Sequence, residues 1–88
     1  GPPAGTRAPR PPRRLAVSTK DGPTIAQVQG EIRTIAGDHG LAADTSFSSD
    51  RLKVVFPTGD PAAIAVAISE LRAAPGVASV EGCYGTLC

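Results

Sequence analysis

The chain has 88 residues, of which 41% are apolar and 19% are charged, the balance expected of a single globular domain. The only aromatic residues are Phe47, Phe56 and Tyr84, so the core must be built from Val, Ile, Leu and Ala. No run of about 18 apolar residues could span a bilayer, and no signal-peptide pattern is found.

Charge is distributed unevenly along the chain. Residues 1–14 contain four arginines and no acid, whereas residues 15–88 carry five basic and eight acidic side chains. The net charge of the second part is negative, which argues against a nucleic-acid-binding surface. The Pro- and Arg-rich start is expected to be a disordered linker over 1–14. Its arginines suit an anionic membrane surface, and Pro9 and Pro12 have the spacing that proline-recognising grooves bind.

The first half of the domain should be a strand, a helix and a second strand. The strand begins at Leu15, and the Asp-Gly-Pro turn after it leads to Thr24, which with Gln27 forms a capping box. Apolar residues then recur at helical spacing and Gly40 should end the helix in a left-handed conformation. These helix residues are Ile25, Val28, Ile32 and Ile35.

The second half repeats this order from the third strand onward, and the second and third strands join the halves. "LAADTSFSS" and "RLKVVFPTG" are predicted to pair as antiparallel strands with one face buried. Asp60 should cap a second helix whose first residue is Pro61, since proline is favoured where the N–H needs no partner. Its apolar stripe is Ile64, Ile68 and Leu71, and a last strand passes through Val77 and Val80.

The predicted order is therefore strand, helix, strand, strand, helix, strand. A four-stranded antiparallel sheet with both helices on one face buries both apolar stripes, so we expect an α+β, ferredoxin-like βαββαβ sandwich. The domain is predicted to span residues 15–82, followed by a flexible cysteine-containing tail over 83–88.

The strand-to-helix stretch "VSTKDGPTIAQV" resembles the opening of ACT-type regulatory domains, and "LRAAPGVASVEG" is similar to their last helix-to-strand junction. The resemblance implies a small ligand such as an amino acid at Asp21, Gly22, Pro23 and Thr24, and pairing with a second copy or a partner protein through the sheet. It also implies a module attached to a larger, membrane-associated protein. "VVFPTGDPAAIAVAISELRAAPGVASV" resembles part of the extracytoplasmic domain of cell-division permeases, which leaves the side of the membrane open.

Few residues could carry chemistry. His39 is the only histidine and is expected to interact with the helix dipole, so no enzyme, cofactor or metal centre is predicted. Cys83 and Cys88 lack the further ligands that structural zinc requires. They could form a disulfide, remain free thiols or bind copper(I); the disulfide would indicate an extracytoplasmic interaction domain. Localisation stays open.

Overall fold

The computed structural model describes residues 10–84. Its elements, in chain order, are β1 (Arg14–Thr19), α1 (Ile25–Asp38), β2 (Asp44–Ser48), β3 (Arg51–Val55), α2 (Pro61–Ala73) and β4 (Val77–Cys83). The strands form one antiparallel sheet in the order β2-β3-β1-β4. This α+β layout confirms the predicted ferredoxin-like fold. None of the described helices is long and apolar enough to cross a bilayer.

The core lies between the helices and one face of the sheet. Leu15 pairs with Val54 and Val17 with Leu52, so alternate residues of the two central strands bury the same face. The helices contribute a stripe each, three residues from α1 and four from α2. These are Val28, Ile32 and Ala36, and Ile64, Ala67, Ile68 and Leu71.

The predicted capping box at the start of α1 is present. The hydroxyl of Thr24 accepts from the N–H of Gln27 at 3.1 Å, and the Gln27 side chain accepts from the N–H of Thr24 at 2.8 Å. The helix ends as predicted with Gly40 at a positive φ of 69°. The N–H of Leu41 then donates to the carbonyl of Ala36 at 2.8 Å, which satisfies a carbonyl of the last turn.

The start of α2 also has its predicted form. Asp60 accepts from the N–H of Ala62 at 3.1 Å and Pro61 is the first helical residue. Gly59, directly before the cap, has a φ of 121°. The carbonyl of this glycine accepts from the guanidinium of Arg13 at 2.8 Å, so the corner is held by a residue from before the first strand.

The boundaries of the domain differ from those predicted. Arg14 belongs to β1 and pairs with both Val55 and Cys83, so the sheet begins inside the predicted linker. Cys83 is the last residue of β4 and only 7% exposed, so its assignment to a flexible tail was wrong. The reason is long-range: pairing with β1 continues one residue beyond Gly82, and no local signal in "EGCYG" reveals it. Residues 1–9 and 85–88 of the predicted linker and tail lie outside the described residues.

Candidate functional site

The predicted ligand corner, Asp21–Thr24, lies between β1 and α1 on the surface. Asp21, Gly22 and Thr24 are exposed, and Gly22 has a φ of 111°. The capping box already uses the hydroxyl and the N–H of Thr24. The N–H groups of Ile25 and Ala26 donate to no acceptor among residues 10–84. Those two amides and the carboxylate of Asp21 are therefore among the groups that this corner can offer to a ligand.

The face of the sheet opposite the helices is polar. Arg51 on β3 and Glu81 on β4 form an ion pair of 3.2 Å across β1, beside Ala16, which is only 9% exposed although no helix covers it. A shallow groove of about 280 Å³ lies next to this pair at the β2–β3 turn. Its lining includes Asp50 and Lys53, so both signs of charge are present and neither dominates.

The two edges of the sheet differ. β2 pairs only with β3, all of its residues except Thr45 are exposed, and Phe47 is 50% exposed. β4, at the other edge, is longer and buries three of its seven residues. Pro12 also packs on Gly82 of that strand, since a Cβ at Gly82 would lie 2.7 Å from Pro12 Cγ. The side chains at the β2 edge are therefore the more exposed, although β4 likewise pairs with no second strand among residues 10–84.

Residues 10–13, termed the arm below, contact the domain and do not form a free linker. Pro11 and Pro12 are half-buried and line a groove against α2. A proline-recognising partner would have to remove Pro12 from Gly82 to bind it. Pro9, the other proline of that motif, lies outside the described residues, as does Arg7.

Cys83 is disulfide-bonded. Cys88 lies outside the described residues, so the predicted Cys83–Cys88 pairing stays a prediction. A sulfur in a disulfide does not ligate copper(I) as a thiolate does. Within residues 10–84, no group of three or more His, Cys, Asp or Glu side chains is arranged to hold a metal ion.

His39 is the C-cap residue of α1, and its side chain also makes a hydrogen bond to α2. Its Nε2 lies 2.8 Å from Oε2 of Glu70 on α2, so the side chain joins the two helices. Both side chains are partly exposed. The sequence places His39 at the helix end but does not reveal Glu70, because 31 positions separate the two residues.

Comparison with known proteins identifies no relative of this chain. No family model, curated protein or solved structure matches the chain. The surfaces that can indicate a function are therefore the exposed edge at β2 and the groove beside the arm.

Proposed function

We propose that this domain is a non-enzymatic interaction module of ACT-like type, appended to a larger and membrane-associated protein, and that it pairs with a second copy through β2. The observation that carries this proposal is the accessibility of β2. An edge strand presents unpaired N–H and C=O groups, and proteins usually protect such an edge with proline, lysine, a bulge or a covering segment. β2, "DTSFS", has none of the first three, and its one large apolar side chain is half-exposed.

A two-fold axis at Ser46 would make β2 complementary to itself. In an antiparallel pair centred there, Asp44 lies opposite Ser48 of the second copy, so like charges do not meet. Arg51 is next to Ser48 in the β2–β3 register, which brings a positive charge to the same row as the Asp44 of the other chain. The two four-stranded sheets would join into one of eight strands.

The helix-facing side of the same pairing is also complementary. Phe47 would lie opposite Thr45 of the second copy, and Thr45 Oγ1 accepts from the guanidinium of Arg33 at 3.2 Å. The phenyl ring would therefore cover a guanidinium that is already held in place. Such cation–π contacts contribute about 0.5–1 kcal/mol at exposed sites, in addition to the apolar area of Phe47 that the pairing removes from water.

Sedimentation velocity over a range of protein concentrations tests this pairing. We expect the unmodified chain to form dimers at high concentration and Phe47→Lys to stay monomeric, because a lysine on an edge strand opposes strand addition. Val66→Lys is the matched control, since Val66 on α2 is 48% exposed and receives the same charge. Circular dichroism should verify that both variants remain folded.

Two results would contradict the proposal. A chain that stays monomeric at about millimolar concentration would rule out a second copy as the partner of β2, given that a useful pairing needs a Kd well below that range. Dimers that persist in Phe47→Lys but dissociate in Val66→Lys would place the interface on α2.

The regulatory part of the proposal is a small ligand at Asp21–Thr24. An α-amino acid has both charges that this corner would match, with its carboxylate at the helix N-terminus and its ammonium at Asp21. Isothermal titration with the common amino acids tests this, with Asp21→Asn as the control variant. If none of them releases heat, the function reduces to partner binding alone.

The disulfide-bonded state of Cys83 favours a second candidate, an interaction domain outside the cytoplasm. Disulfides persist in oxidising compartments and are rare in reducing ones. Intact mass of natively produced protein, before and after reduction and alkylation, distinguishes the two settings. Two alkylatable cysteines without preceding reduction would exclude this candidate.

A further inference from the structure

We infer that the groove between the arm and α2 binds an acidic, partly apolar peptide segment of a partner protein. This groove, termed the arm groove, has a volume of about 280 Å³. Its two long sides come from different ends of the chain, the arm and α2, and it ends at Gly82 and Tyr84. The side-forming residues are Arg10, Pro11, Pro12, Ala65, Ile68 and Arg72.

The floor of the arm groove is apolar and held in place. Ile68 belongs to the core, and Pro12 packs on Gly82, where a larger residue would not fit. Tyr84, at the end of the groove, is 61% exposed. A surface of aliphatic side chains and proline rings with an accessible tyrosine at one end is typical of sites that bind apolar peptide side chains.

The charge of the arm groove is what identifies its ligand. Among residues 10–84, most arginines have a partner: Arg13 donates to Gly59, Arg33 to Thr45 and Arg51 to Glu81. Arg14 has a partner too. Arg10 and Arg72 have no hydrogen-bond or ion-pair partner within the described residues, and both line this one groove. Two guanidinium groups without a partner among residues 10–84, beside an apolar floor, fit carboxylates next to apolar side chains.

The size of the groove and the charge of the segments beside it favour a peptide that is not supplied by residues 1–9 or 85–88. Pockets for small molecules usually enclose about 300–1,000 Å³, and this groove, at about 280 Å³, lies at the lower limit of that range, which suits a few side chains of a peptide. The segments that adjoin it in sequence, 1–9 and 85–88, contain no Asp or Glu. Neither segment can supply the acidic side chains that would neutralise Arg10 and Arg72.

Selection from a displayed library of random dodecapeptides tests this inference, because such a library offers acidic, basic and neutral sequences in competition. The full 88-residue chain is the bait. The double variant Arg10→Gln/Arg72→Gln is used for counter-selection. We expect the retained peptides to combine Asp or Glu with Leu, Ile or Phe. Retained peptides without acidic enrichment, or no retained peptide, would overturn the inference.

The best retained peptide is then synthesised together with a copy in which every Asp and Glu is replaced by Asn and Gln. Binding of both is measured by fluorescence anisotropy. The Arg10→Gln/Arg72→Gln variant should bind the acidic peptide about five- to tenfold more weakly, the range expected for two exposed ion pairs. Lys20→Gln/Lys53→Gln removes the same charge at two exposed positions outside the groove and should bind within about twofold of the unmodified chain, since the effect depends on contact and not on net charge.

Nuclear magnetic resonance locates the binding surface. Amide shifts on addition of the peptide should cluster at Ile68, Gly82 and Tyr84 and weaken as salt is raised. Shifts confined to β2, equal binding of the neutral copy, or equal weakening by both double variants would each overturn the inference. So would inorganic phosphate that displaces the peptide at low millimolar concentration, because the site would then be a simple anion site.

Discussion

The two halves of the domain, β1–α1–β2 and β3–α2–β4, make the same strand-to-helix turn in different surroundings. Each turns from a strand into a helix through a glycine with positive φ, Gly22 at 111° and Gly59 at 121°, and each helix then starts at a side-chain cap. Gly22 has open space where a Cβ would lie, whereas a Cβ at Gly59 would overlap Leu41 and touch Ile64. The first corner needs glycine for its backbone alone, and the second needs it for its packing as well.

The same contrast recurs at the helix-to-strand turns. Gly40, after α1, is again in open space. Gly76, after α2, is buried against Val28 and Glu31, and its N–H donates to Oε1 of Glu31 at 3.0 Å. A side chain at either glycine of the second half would therefore meet neighbouring atoms, although Gly59 itself is exposed, whereas the glycines of the first half have open space beside them. Accessible turns are where ligands can bind without displacing other residues.

The largest effect is expected at Gly59. Gly59→Ala combines an unfavourable backbone conformation with an overlap on the terminal methyl group of Leu41, which should lower the free energy of unfolding by about 2 kcal/mol. Urea denaturation followed by circular dichroism measures it. The loss in the Gly59→Ala/Leu41→Ala double variant should be smaller than the sum of the losses in the two single variants, because Leu41→Ala removes the methyl group that the new Cβ overlaps. A stability loss below about 1 kcal/mol in the single variant would mean that the second corner is as open as the first.

A smaller loss is expected when the turn at Gly76 loses its acceptor. Glu31→Ala leaves a partly buried N–H without a partner, which should cost about 1–2 kcal/mol. Glu31→Gln keeps an oxygen at the same place and should cost less than half as much. If the two variants melt at the same temperature, the carbonyl-type acceptor is not what stabilises this turn.

At the first corner the penalty should be smaller again. Gly22→Ala meets no neighbouring atom, so only the conformational cost of about 1 kcal/mol is expected. The measurement is the same denaturation series as for Gly59→Ala. The contrast between the halves depends on the ranking, and a Gly22 variant less stable than the Gly59 variant would reverse it.

The local signals in the sequence explain why the fold could be predicted. Thr24 with Gln27, and Asp60 with Pro61, act within four residues, and alternation in β3 depends only on the strand itself. What could not be predicted depends on distant parts of the chain. Cys83 joins the sheet through Arg14, and Pro12 packs on Gly82. Neither "PRPPRR" nor "EGCYG" contains a periodic pattern that reveals its partner.

The candidate surfaces follow the same division. The corner at Asp21–Thr24 can be identified from the sequence because its residues are adjacent, and the capping box that occupies Thr24 is also a local pattern. The arm groove cannot be identified from the sequence, because Arg10 and Arg72 are far apart in the chain. Their shared position depends on the arm lying against α2.

The smallest effect is expected where the two halves meet in solvent. The side chains of His39 and Glu70 are 25% and 47% exposed, and an exposed polar contact of this kind contributes well below 1 kcal/mol because water and salt screen it. Glu70→Gln should therefore change the free energy of unfolding by about 0.5 kcal/mol or less. Ser69→Ala, at the neighbouring exposed position, serves as the control. A loss above about 1 kcal/mol in Glu70→Gln alone would show that α1 and α2 depend on this contact, and that the halves are joined by it as well as by their common core.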